Sequence, residues 1–220
     1  MFRSKKRDII FTQFEHGKLA GHLAQHWGNT QFSQPNIPIV SFVSGITLHD
    51  FGYGMLDTHS IGNMSNKERR QTLTNMIHVQ LPDPIADLIG KYHTLRLIRW
   101  LKNADLEQAC LAKIDATLSQ IDIPHEIFQR VDRITNLCDS IAFAFCFEKA
   151  AAGQVAVFKN FTEENLTPIS YQIRGSHITV DPWPFSTDAI HSSIIAFHSN
   201  TYPHKLKPIL VPFSVVRKTA

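Results

Sequence analysis

Ile39-Val40-Ser41-Phe42-Val43-Ser44-Gly45-Ile46-Thr47-Leu48-His49-Asp50 is the stretch on which the reading of this chain turns. From Ile39 to Leu48 it is apolar nearly all round, at Ile39, Val40, Phe42, Val43, Ile46 and Leu48. Such a run reads as a fully buried helix, with a buried strand as the alternative at this length. It ends on His49-Asp50, with Gly52 and Gly54 close behind. A buried element that delivers an imidazole and a carboxylate into the interior needs partners for both, because unpaired burial of polar groups is costly.

Upstream, the pattern predicts a helix from about Gln13 to Trp27. With His16 as angular zero and about 100° per residue, Leu19, Ala20, Leu23 and Trp27 fall within about 60° of it. His16 therefore sits in the middle of an apolar face, and Gly28-Asn29 stops the helix. Downstream, a short helix is expected around Lys67 to His78. Pro82 and Pro84 open another that runs to about Trp100, with Ile85, Leu88, Ile89 and Tyr92 inward and His93 at the edge of that face. Ala104 to Gln120 is a further helix, and Pro124 begins a long one ending near Lys149. The main stripe of that long helix is Ile127, Val131, Ile134, Cys138, Ile141 and Phe145. Asp132 lies about 140° from Ile127, on a second, mixed face that also carries Asp139.

The pattern changes at Gly153. Gln154 to Phe158, Pro168 to Arg174, His177 to Asp181 and Ile209 to Val216 carry β-branched and aromatic residues between turn signals. A helical stretch is expected from Thr187 to His198. The expected architecture is mainly α: a helical bundle over 1–152, with a small β-containing C-terminal extension over 153–220 packed against it.

Composition narrows the function. The chain has 220 residues, 43% of them hydrophobic and 19% charged, as in ordinary globular proteins. Net charge is only +3, and the basic run Arg3 to Arg7 supplies much of it. That run reads as a solvated terminus. No basic stripe recurs downstream, so no nucleic-acid partner is expected. The 3 cysteines form no CxxC pair. That excludes a cysteine zinc knuckle and suits a reducing cytoplasm. No run is long and apolar enough to span a membrane. No nucleophile elbow, phosphate loop or dinucleotide fingerprint is present. Histidine stands out, with 12 residues beside 19 acidic ones, and imidazole and carboxylate are ligands for first-row transition metals.

Separate helices can bring His16, His49, Asp50 and Asp132 to one point, as helical metal sites commonly do. In this order the residues resemble the HD-domain superfamily of metal-dependent phosphohydrolases. The marks are His16-Gly17-Lys18-Leu19-Ala20-Gly21-His22, then Leu48-His49-Asp50-Phe51-Gly52, then Val131-Asp132-Arg133-Ile134. The chain is also similar to a family of uncharacterised bacterial proteins carrying such a site, through Thr12-Gln13, His26-Trp27-Gly28, His49-Asp50-Phe51-Gly52-Tyr53, His93 and Asp181-Pro182-Trp183-Pro184-Phe185.

The resemblance implies an all-helical HD core and hydrolysis of a small phosphorylated molecule, a phosphate ester or nucleotide. It also implies a divalent transition metal (Mn, Fe, Zn, Co or Ni), as one ion or two. Two-metal relatives add histidines between the pair and the last aspartate. His93 and His78 fill those places, with His59 as a rival to His78 and Asp139 as a rival to Asp132. The metal lowers the pKa of water toward about 7, and a basic side chain holds the phosphate. Arg96, three residues from His93 on the same face, is preferred over Lys18 and Arg133. Two alternatives remain: an HD-type di-iron oxygenase, and a metal-stabilised sensor or scaffold without turnover.

Overall fold

The computed structural model describes residues 1–54 and 57–218. Two short strands come first, β1 (Phe2–Arg3) and β2 (Ile9–Phe11). Six helices follow: α1 (Gln13–Gln25), α2 (Ile39–Thr47), α3 (Asn66–His78), α4 (Pro84–Trp100), α5 (Ala104–Leu118) and α6 (His125–Phe147). The chain finishes with β3 (Ala152–Phe158), β4 (Leu166–Arg174), β5 (His177–Asp181), β6 (Ala189–His198) and β7 (Pro208–Arg217).

All seven strands join one sheet in the order β1-β2-β6-β7-β5-β4-β3. Its pairs are antiparallel except β5 with β7. In β4, Ile169, Tyr171 and Ile173 are buried while Ser170, Gln172 and Arg174 are exposed, so the sheet covers one face and wets the other. Helix α6 packs on β3, and α1 lies against β6.

This overturns the expected fold class. The chain is 44% helix and 22% strand around a curled mixed sheet, so it is neither mainly α nor an HD-type bundle with a β appendage. Two segments account for the difference. The stretch from Thr187 to His198 is strand from Ala189 onward, not helix. Its buried residues Ile190, Ile194 and Ala196 lie at even spacings, and a gap of four fits a helix face and a strand face equally well. The β-branched Ile190, Ile194 and Ile195 favour the strand.

The second segment is the N-terminus. Arg3 to Arg7 is not a loose basic run, because β1 and β2 flank it and Ser4 is buried. Arg7 Nε donates to Glu148 at 2.9 Å, and its guanidinium lies 5.4 Å from the ring centres of both Phe11 and Phe145. Helix α2 is also less buried than its composition suggests. Ile39 and Val40 are 46% and 73% exposed, and Phe42 and Ile46 carry its inward face.

Helices α1 and α2 approach unusually closely at Gly17 and Gly21. A Cβ on Gly17 would strike the carbonyl oxygen of Thr47, and one on Gly21 its hydroxyl. This contact sets His16 beside His49, two residues past Thr47. Gly90 on α4 is different, since a Cβ there meets the His49 backbone at an ordinary 3.9 Å. Gly17→Ala is therefore expected to destabilise the fold by about 1–3 kcal/mol, as overpacking does. Gly90→Ala is expected to be neutral or stabilising by up to about 1 kcal/mol, because alanine favours helix. Urea unfolding of the two variants checks the contrast, and equal stability would contradict this account of the α1–α2 contact.

Candidate metal centre

Four helical segments and one turn supply the cluster. Thr12 caps α1 by accepting from the backbone N–H of Glu15 at 3.2 Å, and His16 follows on the buried face with Leu19, Ala20 and Leu23. His49 and Asp50 stand where α2 ends and a 3₁₀ turn over Phe51–Tyr53 begins. His93 comes from the middle of α4 and Asp139 from α6.

The donor atoms converge. His16 Nε2 lies 3.1 Å from Asp139 Oδ1 and 3.8 Å from Asp50 Oδ2. His49 Nε2 lies 3.5 Å from Asp50 Oδ2 and 3.6 Å from Asp139 Oδ1. Ligands about 2.1 Å from a shared ion sit about 3.0–3.4 Å from each other in octahedral or tetrahedral arrangements. Donors of His16, His49 and Asp139 lie within 4.8 Å of one another, as do donors of His49, Asp50 and His93, so the cluster offers two overlapping three-donor sets for a cation.

The tautomer of His49 supports that use. Its Nδ1 donates to the Ile46 carbonyl at 2.6 Å, which leaves Nε2 as the inward atom. That Nε2 is buried and has no hydrogen-bond partner. A backbone-anchored imidazole with an unsatisfied nitrogen facing two carboxylates suits a metal ligand.

His93 plays another part. Arg96 Nη2 donates to its Nδ1 at 2.7 Å, so the ring proton is on Nε2, which donates to Asp50 Oδ1 at 3.1 Å. Arg96 Nε in turn donates to both oxygens of Asp132, at 3.2 and 3.1 Å. The chain Asp132–Arg96–His93–Asp50 orients the carboxylate that faces the cluster.

These placements revise several sequence-based assignments. Asp132 is outside the cluster, and Asp139 occupies the place expected for it. The seven-residue spacing keeps both on one helix face but separates them by about 10 Å along the axis, so facing could not tell them apart. Arg96 is held by Asp132 and His93 and is not free to bind phosphate. His78 is exposed at the end of α3, away from the cluster. His59 is exposed and pairs with Glu68 at 3.1 Å. Lys18 pairs with Glu15 at 2.9 Å, and Arg133 is exposed.

A cavity of about 400 Å³ opens on the cluster, with Asp50, His93 and Asp139 in its wall. Gln13, Tyr53, Arg69 and Lys149 also line it. Sequence reasoning assigned none of these four a role. Gln13, three residues before His16 on α1, and Tyr53, three after Asp50, could have been found by spacing. Arg69 and Lys149 carry no such signal.

The electrostatics fit a site that needs a cation. Burial alone would depress the His49 imidazole, but Asp50 and then Asp139 override it and raise it to about 9. Burial would raise the carboxyl of Asp50, yet His49 and His93 hold it at about 2. Asp139 is likewise held well below the ordinary carboxylate value, despite burial, by the bond from His16 and by the nearby His49 imidazole. Burial, then His49 and Arg96, lower His93. Burial and the same two carboxylates raise the Tyr53 phenol, which stays protonated.

Over residues 1–198 the chain matches the model of a family described as a protein of unknown function, DUF3891. The chain belongs to this family. No curated protein and no solved structure matches it. The resemblance to the HD superfamily is thereby overturned, since the family match lies elsewhere and the curled sheet is foreign to an all-helical HD core. Among the described residues, no helix is long and apolar enough to cross a membrane.

Two measurements test the centre. A cation must displace the proton that His49 holds up to about pH 9. Apparent metal affinity is therefore expected to rise about tenfold per pH unit between roughly pH 7 and 8.5, with about one proton released per ion. Calorimetry in buffers of different ionisation enthalpy reads both, and a flat pH profile would contradict the assignment. Asp139→Ala is expected to abolish binding of the ion. Asp132→Asn, acting through Arg96 and His93, should weaken it only about 10- to 100-fold.

Proposed function

We propose that this protein is a metal-dependent hydrolase of a small phosphate ester. One observation carries this reading: Asp50, His93 and Asp139, drawn from two overlapping donor sets that share His49, line an accessible cavity with Arg69 and Lys149. A purely structural site is closed, whereas a catalytic one keeps a coordination position open. Here Asp50 and Asp139 face both the cluster and the cavity.

The charges favour a phosphoryl group. The carboxylates of Asp50 and Asp139 would balance a divalent ion, and Arg69 and Lys149, which form no ion pair among the described residues, add positive charge to the cavity wall. A phosphoryl dianion matches them in sign and magnitude. A bound divalent ion supplies an activated water and neutralises charge on phosphoryl oxygens. The chain's residues do the rest. Arg69 and Lys149 attract and hold the phosphate, Tyr53 presents a protonated hydroxyl to the cavity, and the His93–Arg96–Asp132 chain keeps Asp50 from turning. In the net reaction the hydroxyl of water bonds to phosphorus as the ester P–O bond breaks, and the remaining proton goes to the leaving oxygen.

The two-ion oxygenase alternative loses support at His93. A second ion would need the Nε2 lone pair, but Arg96 fixes the proton on that nitrogen. The scaffold alternative loses support from the cavity.

The test is turnover of a broad panel of phosphomonoesters and phosphodiesters by protein loaded in turn with Mn, Fe, Co, Ni or Zn. Hydrolysis of at least one ester is expected, and the double change His49→Ala with Asp50→Ala should abolish it. Inactivity across the panel with the ion demonstrably bound would falsify the reading.

A further inference from the structure

The cavity beside the cluster is sharply divided in character. Its polar groups are the donors themselves with Gln13, Tyr53, Arg69 and Lys149, and most of the remaining wall is hydrocarbon. Ile61, Leu97, Phe143 and Phe147 line it with Trp100 and Leu101, among other apolar side chains. At the mouth, Trp100 is 74% exposed, Leu101 39% and Phe143 36%. Large side chains left this wet and grouped around one opening mark an apolar binding surface. They line a cavity that also reaches Asp50, His93 and Asp139.

The polar end has an unmet requirement of its own. Gln13 is 2% exposed, and among the described residues neither its amide oxygen nor its amide nitrogen has a partner in hydrogen-bond geometry, although the Tyr53 phenol is close by. A buried amide without partners costs on the order of 1–3 kcal/mol. A ligand's polar head in the cavity would satisfy it.

We infer that the substrate is an amphipathic monoester: one phosphoryl head at Gln13, Arg69 and the metal donors, on a compact alkyl or aryl body packed against Ile61, Leu97, Phe143 and Phe147. This rests on the phosphate-ester reading above and deepens it. A nucleotide fits the wall poorly. Its ribose hydroxyls and base edges would be buried against hydrocarbon without partners, a loss that hydrogen-bonding sites use to reject ligands. About 400 Å³ also lies toward the small end of ligand cavities, which run from about 300 to 1,000 Å³.

In the hydrolysis of such an ester, the hydroxyl of water goes to phosphorus and its proton to the leaving alkoxide or phenoxide. The products are an apolar alcohol or phenol and inorganic phosphate. The enzyme that supplies the substrate must therefore phosphorylate an apolar alcohol or phenol.

Binding tests this independently of turnover. Methyl-, butyl- and octylphosphonate, which cannot be hydrolysed at the P–C bond, are titrated calorimetrically into the metal-loaded protein. Each methylene buried is expected to raise affinity roughly threefold, levelling off when the cavity is full. Ile61→Trp, which fills the apolar end of the cavity, should flatten that dependence. Phe143→Ser, at a partly exposed position, gives the same readout should Ile61→Trp not fold. If methylphosphonate binds but lengthening adds nothing, or if adenosine monophosphate binds more tightly than octylphosphonate, the amphipathic inference is overturned and the phosphate reading stands. If no phosphonate binds to the loaded protein, both fall.

Discussion

Two carboxylates and three imidazoles share one desolvated volume, and the structure depends on positive charge being present among them. The side chains of His16 and His49 have no exposure, and those of Asp50 and Asp139 have 10% and 15%. Charges removed from water to this degree persist only when paired. Without an ion, a proton on His49 serves. Its stabilisation is complete below the ordinary imidazole value of 6.5 and is lost as pH rises through about 9. The carboxylates behave oppositely: the stabilisation from Asp50 is present above 3.8 and lost as pH falls through about 2. The centre is thus a charge-paired cluster within a limited pH window.

Each ligand-type residue is held by a separate device, which makes the cluster rigid rather than merely crowded. The Ile46 carbonyl anchors His49 from behind. The ring of Phe2 packs against His16, with centroids 4.6 Å apart. Asp50 is held by His93, itself held by Arg96 and through it by Asp132. Asp139 gains its place from the α6 backbone and the bond from His16. Outer partners of this kind commonly matter nearly as much as the ligands, because they set tautomer and aim. Asp132 and Arg96 therefore belong to the site although neither faces the ion position as a ligand.

Local patterns in the sequence carried the helices well and the sheet only in part. Helical periodicity marked the segments that became α1 and α3 to α6 to within a few residues, because apolar stripes and proline or aspartate starts are local signals. His16 and the His49-Asp50 pair were legible because an isolated imidazole on an apolar face and a polar pair ending an apolar run both demand partners. Asp139 against Asp132 was not decidable, since angle on a helix says nothing about depth along it. The sheet was missed at one end and at the neighbouring β6, for different reasons. Segment 189–198 satisfies both periodicities. The strands β1 and β2 have 2 and 3 residues, too short to show any period. Strand β2 is held by long-range pairing with β6, at Ile9 with His198 and Ile10 with Phe197, and β1 in turn pairs with β2.

That pairing ties the sheet to the chemistry. Strand β6 runs beside β2 only at its end. Further along, the Ile195 N–H donates instead to Glu15 Oε2 at 2.7 Å, which fastens α1 to the sheet one residue before His16. Strand β1 then delivers Phe2 to the opposite side of the same histidine, where its ring meets Phe143 and Phe147 at 5.5 and 6.4 Å. Phe2 is 1% exposed and lines the cavity, so an edge strand of the sheet excludes water from the donor cluster. Excluding water lowers the local dielectric, and that strengthens every charge interaction within the site. An all-helical core would have to find another lid. Here the curled sheet supplies it, and the departure from an all-helical fold is part of what makes the buried cluster workable.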